Sequence, residues 1–342
     1  MRSAIVGCGS IAQVHAQAIG QLRQEGLVAV ADIERDKAES MAALYGAKAY
    51  SDWEKMLEEE RIDVLHICTP HYLHASMAVS ALERGVHVFM EKPPVIHLQQ
   101  WEQLSAAVRN QQNGAKVGVC FQNRYNSSVR YVKEHMDNGA WGRLLGARGI
   151  VTWRRDEEYY TAGGWRGQIE TEGGGALINQ AIHTLDLLQY FAGEKALAVE
   201  AVMDRQHLPE SIGVEDLAAV YISYPHARVC LYASNSYVAD VPPLLELECE
   251  KARIRIEEES VTVYTAEGER QEVELQVQEC LGKRYWGAGH FSTIREFYRC
   301  AASGEHFPIE LEDVEDTVDL LLKAYASAAL KRMGNCENLF VK

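Results

Sequence analysis

No apolar run in these 342 residues reaches the roughly eighteen needed for a helix that crosses a bilayer, so no membrane span is expected. The eight cysteines, at positions 8, 68, 120, 230, 249, 280, 300 and 336, form no CxxC pair. Several sit inside apolar, strand-like runs, so they read as reduced core thiols of a cytoplasmic protein rather than as a disulfide or zinc framework. Positive charge is scarce and dispersed. Lys and Arg form no long block, and the formal net charge is -15. Binding to duplex nucleic acid needs clustered cations that displace counterions from phosphates, so neither nucleic acid nor an anionic membrane surface is an expected partner. No internal repeat or low-complexity tract interrupts the chain. Its opening, MRSAIVGCGS, has too short an apolar stretch for a secretory leader.

What remains is ordinary globular composition, 47% hydrophobic and 24% charged, in a chain long enough for two domains. Residues 1–121 alternate short apolar runs with amphipathic stretches. Strands are expected at Ser3–Val6, Leu27–Ala31, Val64–Cys68, Val86–Met90 and Lys116–Phe121. Helices are expected at Ile11–Leu22, Lys37–Leu44, His74–Glu83 and Leu98–Arg109. Continuous apolar strands between helices indicate a parallel sheet covered on both faces, a doubly wound Rossmann-type domain. Residues 122–342 change character. After a helix at Ser127–Met136 come strand-like runs at 144–154, 196–205, 214–224, 227–236, 243–249, 252–257 and 261–265. Some are joined by tight turns such as Tyr224-Pro225-His226-Ala227, so a largely antiparallel sheet in an α+β domain is expected. Helices fall at Ala176–Phe191, His290–Ala302 and Leu311–Arg332.

Gly7-Cys8-Gly9-Ser10-Ile11-Ala12 joins the first strand to the first helix. Gly7 permits a tight turn, Gly9 lets backbone amides approach a pyrophosphate, and Ala12 lets helix pack on strand. Ser10 and Ile11 open the helix, whose N-terminal N–H groups and dipole favour an anion. Asp32 ends the second strand, where a carboxylate accepts ribose hydroxyls and repels a 2′-phosphate, so NAD is expected over NADP. The competing readings are that Asp32 only caps the next helix and that Arg35 favours NADP.

Further blocks carry a more specific signal. They are Cys68-Thr69-Pro70-His71-Tyr72-Leu73-His74, Gly85 through Glu91-Lys92-Pro93-Pro94, Phe121-Gln122-Asn123-Arg124-Tyr125-Asn126, Gly173 through Asp186, and Trp286-Gly287-Ala288-Gly289-His290. Together they resemble the Gfo/Idh/MocA oxidoreductases, in family order over nearly the whole chain. The resemblance implies a Rossmann domain, then a domain with a large open, mostly antiparallel sheet that supports a homodimer or homotetramer. It also implies a dehydrogenase acting on a secondary alcohol or ketone of a sugar or cyclitol. Thr69, Pro70, His71, His74, Glu91, Lys92 and Gln122 would lie near the cofactor. Asn123, Tyr125, Asn179, His183 and His290 would face substrate, while the aromatic and glycine-rich stretch 159–167 with Trp165 and Arg166 suits either a loop over a polyhydroxylated ligand or a tight turn with surface aromatics.

Lys92 follows a parallel strand, at the sheet edge where ligands bind. Its ammonium can donate a hydrogen bond to a developing alkoxide, and partial desolvation would let it share in proton transfer. On a helix over 176–191, Asn179, His183 and Asp186 follow i, i+4 and i+7 spacing and share a face. A neutral His183 can take the alcohol proton. Many relatives have an aspartate at position 179. Asn179 cannot stabilise an imidazolium by charge, so either an amide hydrogen bond orients His183 or Lys92 is the main proton-transfer group. Asp186 reads either as a partner behind the histidine or as a helix-face charge. His71 and His74 lack a carboxylate or thiol beside them, so no metal is expected. Two other functions fit the same scaffold: an NAD-dependent glycosidase using transient oxidation, and a non-catalytic NAD-binding sensor or scaffold.

Overall fold

The computed structural model describes residues 1–22, 26–276, 280–281 and 288–333. Two compact units divide the chain. One is Met1–Ser127 with Gln276–Glu315, and the other is Ser128–Leu275 with the chain from Asp316 onward.

The first unit is built on strands β1 (Arg2–Val6), β2 (Gly26–Ala31), β3 (Lys48–Tyr50), β4 (Val64–Ile67), β5 (His87–Met90) and β6 (Val117–Val119). They pair in parallel in the order β3-β2-β1-β4-β5-β6. Helices α1 (Ser10–Gln21), α2 (Arg35–Tyr45), α3 (Trp53–Glu59), α4 (His74–Glu83) and α5 (Leu98–Asn110) make the connections. The strand order reverses between β1 and β4, which opens a crevice at their C-terminal ends. The sequence reading contained neither β3 nor α3. The signal for α3 was present: Asp52 caps it, accepting from the Glu54 and Lys55 N–H groups.

The second unit contains α6 (Ser127–Asp137), β7 (Leu144–Thr152), the short helices α7 (Glu157–Thr161) and α8 (Ile169–Glu172), and α9 (Ile182–Ala192). Strands β8 (Ala198–Asp204), β9 (Leu217–Ser223), β10 (Arg228–Ser234), β11 (Leu244–Cys249), β12 (Ala252–Glu257), β13 (Ser260–Thr265) and β14 (Arg270–Val273) follow. The eight-stranded sheet runs β14-β13-β12-β11-β7-β10-β9-β8 and is antiparallel except between β7 and β10. The turn expected at Tyr224–Ala227 closes the β9–β10 hairpin, with Tyr224 N–H donating to the Ala227 carbonyl. Helix α9 lies close on β7: a Cβ at Gly149 would meet Thr184 Cγ2 at 2.6 Å. On the other face Val202 and Tyr221 stay exposed.

Helix α10 (His290–Ser303) returns to the first unit, and α11 (Glu315–Met333) to the second. A second domain running unbroken from 122 to the end therefore needs correction, because 276–315 leave it. Apolar packing is the reason. Phe297 and Phe307 sit 5.1 Å and 6.4 Å from Phe89, ring centre to ring centre, and fill the space above Gly118. Among the described residues no helix is long and apolar enough to cross a membrane. The seven described cysteines are free; Cys230 is exposed, where a core thiol was expected.

Candidate functional site

The turn after β1 has the geometry its glycines predict. Gly7 takes φ +84°, and a Cβ there would lie 2.6 Å from the Cys68 carbonyl oxygen. Only glycine satisfies both the left-handed backbone and the close approach of the loop after β4. Gly9 is the N-cap of α1 and has open space where a Cβ would point. No side chain caps α1 and no acid occupies its first turn, so the amides near Ser10 and Ile11 remain available to an anion. Asp32 is half-buried beside them. Its Oδ2 accepts the Cys8 N–H at 2.7 Å and its Oδ1 the Glu34 N–H at 2.8 Å. The carboxylate thus ties the glycine turn to the β2–α2 loop, which is more than capping. Arg35 is paired with Glu39 at 2.6 Å and lies in solvent. An uncapped helix start, an open glycine and an acid at the end of β2 fit a dinucleotide whose ribose hydroxyls are unphosphorylated.

Lys92 is half-buried at the C-terminal end of β5, and the Lys92–Pro93 peptide is cis. Its neighbour Glu91 is buried and accepts from His15 Nε2 at 3.0 Å. Burial alone would raise the Glu91 carboxyl. The His15 hydrogen bond and charge, with His290 and Lys92, overcome it and hold the group well below the ordinary carboxylate range. A buried chain continues behind it. His15 Nδ1 lies 2.8 Å from His66 Nδ1, His66 Nε2 lies 2.9 Å from the Tyr298 hydroxyl, and that hydroxyl lies 2.6 Å from Ser3 Oγ. Burial and the charge of His15 push His66 well below the usual histidine value. His15, Glu91 and Cys120 present ligand-type atoms within 4.8 Å of one another. The nearest carboxylate oxygen is already engaged, and burial drives the Cys120 thiol up and keeps it protonated, the wrong state for a metal ligand.

His74 is fully buried, with Nδ1 2.7 Å from the Pro93 carbonyl and Nε2 2.8 Å from that of Thr69. It braces the loops bearing Thr69 and Lys92. His71 is buried beside it, ring centres 5.8 Å apart, while Thr69 and Pro70 are half-buried. Gln122 is buried against Cys120. Arg124 is buried too, donating to the Asp313 carbonyl and lying over Phe121. Asn123 and Tyr125 are half-buried in the same turn, and Asn123 Oδ1 is buried with no hydrogen-bond partner, an acceptor available to a ligand. His290 is buried at the start of α10. Trp286 and Gly287 lie outside the described residues.

In the second unit the helix expected over 176–191 is two pieces. Ala176–Ala181 is π-helical, and α-geometry begins at Ile182. Asn179 thus sits on the π-helical piece and His183 on the α-helical one. A residue invisible to helical periodicity organises this entry. Glu215 is buried and accepts from Gly175 N–H at 2.8 Å, Leu177 N–H at 3.0 Å and the Tyr325 hydroxyl at 2.8 Å. Asn179 and His183 are both half-buried. Asp186 is buried rather than a surface charge, and it accepts from Thr317 Oγ1 at 2.9 Å.

Asn179 Nδ2 donates to Glu172 Oε1 at 2.5 Å and to the Tyr159 hydroxyl at 3.3 Å. Gln180 also donates to that hydroxyl, at 3.0 Å. The Arg166 guanidinium lies between two rings, 4.8 Å from Tyr159 and 4.4 Å from Trp165, and its Nε is buried with no hydrogen-bond partner. Trp165 is half-buried and stacks on Arg166.

The strand order, the uncapped glycine turn and the acid at the end of β2 define a dinucleotide-binding α/β protein. Residues 1–119 match the oxidoreductase family with an NAD-binding Rossmann fold, and residues 129–255 match the GFO/IDH/MocA C-terminal domain. The chain belongs to the GFO/IDH/MocA oxidoreductase family, and its first unit is that family's NAD-binding fold.

Among curated relatives, the D-glucoside 3-dehydrogenase of Escherichia coli is 32% identical over 58% of this chain and 55% of its own length, so the match spans about half of that protein. The myo-inositol 2-dehydrogenase of Thermotoga maritima is 22% identical over 99% of both chains. The WlbA dehydrogenase of Bordetella pertussis, solved with NADH and UDP-GlcNAcA, is 26% identical, with a TM-score of 0.82 and 96% of each chain covered.

Proposed function

We propose that this protein is an NAD(H)-dependent dehydrogenase that interconverts a secondary alcohol and a ketone on a sugar, sugar derivative or cyclitol. One observation carries the reading: the glycine turn, Asp32 and Lys92 all lie at the C-terminal edge of one parallel sheet, where doubly wound folds bind nucleotides. The named activities of the relatives, on glucosides and inositol, agree with it.

Gly7, Gly9 and the first amides of α1 would hold the diphosphate, and Asp32 the adenine ribose. NAD fits better than NADP, because Asp32 repels a 2′-phosphate and Glu39 occupies Arg35. When bound, the nicotinamide supplies the hydride acceptor for the alcohol carbon. Lys92 donates a hydrogen bond to the reacting oxygen and His183 takes the hydroxyl proton. Asn123, Tyr125, Trp165, Arg166 and Asn179 offer the polar and aromatic groups that bind a polyol. The open face of the eight-stranded sheet, with a cavity of about 440 Å³ between Arg148, Val202, Tyr221 and Tyr232, is the surface for pairing with a second copy as homodimer or homotetramer. The free thiols suit a cytoplasmic setting.

The test is NADH absorbance across a library of sugars, sugar acids and cyclitols, with NADP+ in parallel. Reduction of NAD+ by at least one secondary alcohol is expected. Silence with both nucleotides, or faster reduction of NADP+, would overturn the assignment.

A further inference from the structure

We propose that Glu172 is a positioning residue for the reacting alcohol: seated behind Asn179, its carboxylate fixes the orientation and acceptor strength of that amide, so that its proton state gates turnover. This builds on the dehydrogenase reading above.

Glu172 closes helix α8, and no part of it reaches solvent. Its two oxygens take different partners. Oε1 accepts the Asn179 amide at 2.5 Å, and Oε2 accepts the Gly167 N–H at 2.6 Å. One carboxylate therefore holds both the π-helical residue Asn179 and the loop that carries Trp165 and Arg166. Thr171 adds a second tie, donating to the Trp165 carbonyl at 2.6 Å.

With Nδ2 committed to a carboxylate, the amide oxygen of Asn179 is directed the opposite way. Donation into an anion polarises the amide and strengthens that oxygen as an acceptor. A neutral side chain thus delivers part of the effect of a charge that is itself kept away from the reacting centre. Protonating Glu172 weakens the donation and removes the polarisation.

Charged and titratable groups surround it on every side: Arg166 from the loop, Tyr159 and Tyr160 from α7, Glu215 before β9, and Tyr325 on α11. Burial, as the largest cause, leaves the Glu172 carboxyl at about 7 once every opposing contact is included. The Asn179 and Gly167 hydrogen bonds and Arg166 oppose the rise, and Glu215 adds to it. The switch therefore falls in the neutral range.

The experiment compares parent, Glu172→Gln and Glu172→Asp on the alcohol found by the library. It reads kcat and kcat/KM from about pH 5 to 9, NAD+ affinity by fluorescence, and thermal midpoint. At alkaline pH, Glu172→Gln should lower kcat by about tenfold, the worth of one charge-assisted hydrogen bond. NAD+ affinity should change little, the acid limb near neutrality should flatten, and Glu172→Asp should restore a limb. An unchanged limb in Glu172→Gln overturns the proposal, as does a fall in kcat matched by equal losses of NAD+ affinity and thermal midpoint.

If no alcohol reacts, that failure belongs to the dehydrogenase reading. A carbon-13 titration of the Glu172 carboxyl then decides the coupling. A neutral-range inflection that moves upward in Asn179→Ala supports it. An inflection in the ordinary carboxylate range, or one indifferent to Asn179→Ala, overturns it.

Discussion

Two side chains show what a single residue reveals by itself. Lys92 stands out in the sequence because its setting is local: a strand, a sharp turn and a proline place it at the C-terminal end of β5. Lys92→Ala should reduce kcat by about a hundredfold or more, the usual worth of a positioned proton-transfer group, with NAD+ affinity little changed. Steady-state kinetics beside a fluorescence titration of NAD+ checks both, and full activity in the variant would remove Lys92 from the chemistry. Glu172 was not legible, since nothing in Glu-Thr-Glu-Gly-Gly-Gly says which acid is enclosed. Its burial has a thermodynamic consequence of definite sign. The folded state binds the Glu172 proton more tightly than the unfolded chain does, with the carboxyl up at about 7 from 4.5. The stability from this group is complete below the unfolded value and is lost as pH rises through about 7. The total is about 3 kcal/mol. Measured by urea unfolding at a series of pH values, the stability of Glu172→Gln relative to the parent should improve from acid to alkaline conditions. A pH-independent difference would mean that the carboxyl is not perturbed.

Among the elements, the first strand and its helix were readable from period and punctuation. The run of glycines at 173–175 was readable only as a motif. The structure supplies its physical cause: a Cβ at Gly174 would lie 2.0 Å from the Tyr325 hydroxyl, and one at Gly175 2.0 Å from the Glu215 carbonyl oxygen. The backbone has to pass that close for Glu215 to cap the π-helical segment. Gly175→Ala, which meets backbone rather than a movable side chain, should cost about 3 kcal/mol of stability by urea unfolding. Gly9→Ala makes the informative contrast. Its φ of -77° suits any residue and its Cβ meets nothing within 4 Å. The variant should fold like the parent and bind NAD+ more weakly, which calorimetry resolves. Unaltered NAD+ binding would count against the diphosphate site. The π geometry of residues 176–181 was not legible, because it accompanies capping by the distant Glu215, which periodicity does not register.

For the whole molecule, the eight-stranded sheet buries one side, and its open side mixes charged pairs such as Arg148–Glu246 with an apolar patch on β8 and β9. Val202 is 54% exposed and Tyr221 40%, diagonal neighbours on β8 and β9, where Val202 pairs with Ala219 and Tyr221 with Glu200. An apolar sheet face of that kind normally has a partner. If a second copy covers it, Val202→Asp should shift the sedimentation coefficient to a smaller species while leaving the fold intact by circular dichroism. A parent that sediments as a monomer would remove self-association from the account. The sequence alone determined the doubly wound first unit, the mainly antiparallel second sheet and the sheet edge that carries Gly7, Gly9, Asp32 and Lys92, because strand period, turn glycines and helix starts are short-range properties of the chain. Tertiary structure alone decided that α10 rejoins the first unit, that His74 braces loops, that His15, His66, Tyr298 and Ser3 line up behind Glu91, and that Glu172 stands behind Asn179. Each of those pairs residues distant in sequence or enclosed by the fold, and burial, which gives such contacts their energy, exists only once the chain has closed around them.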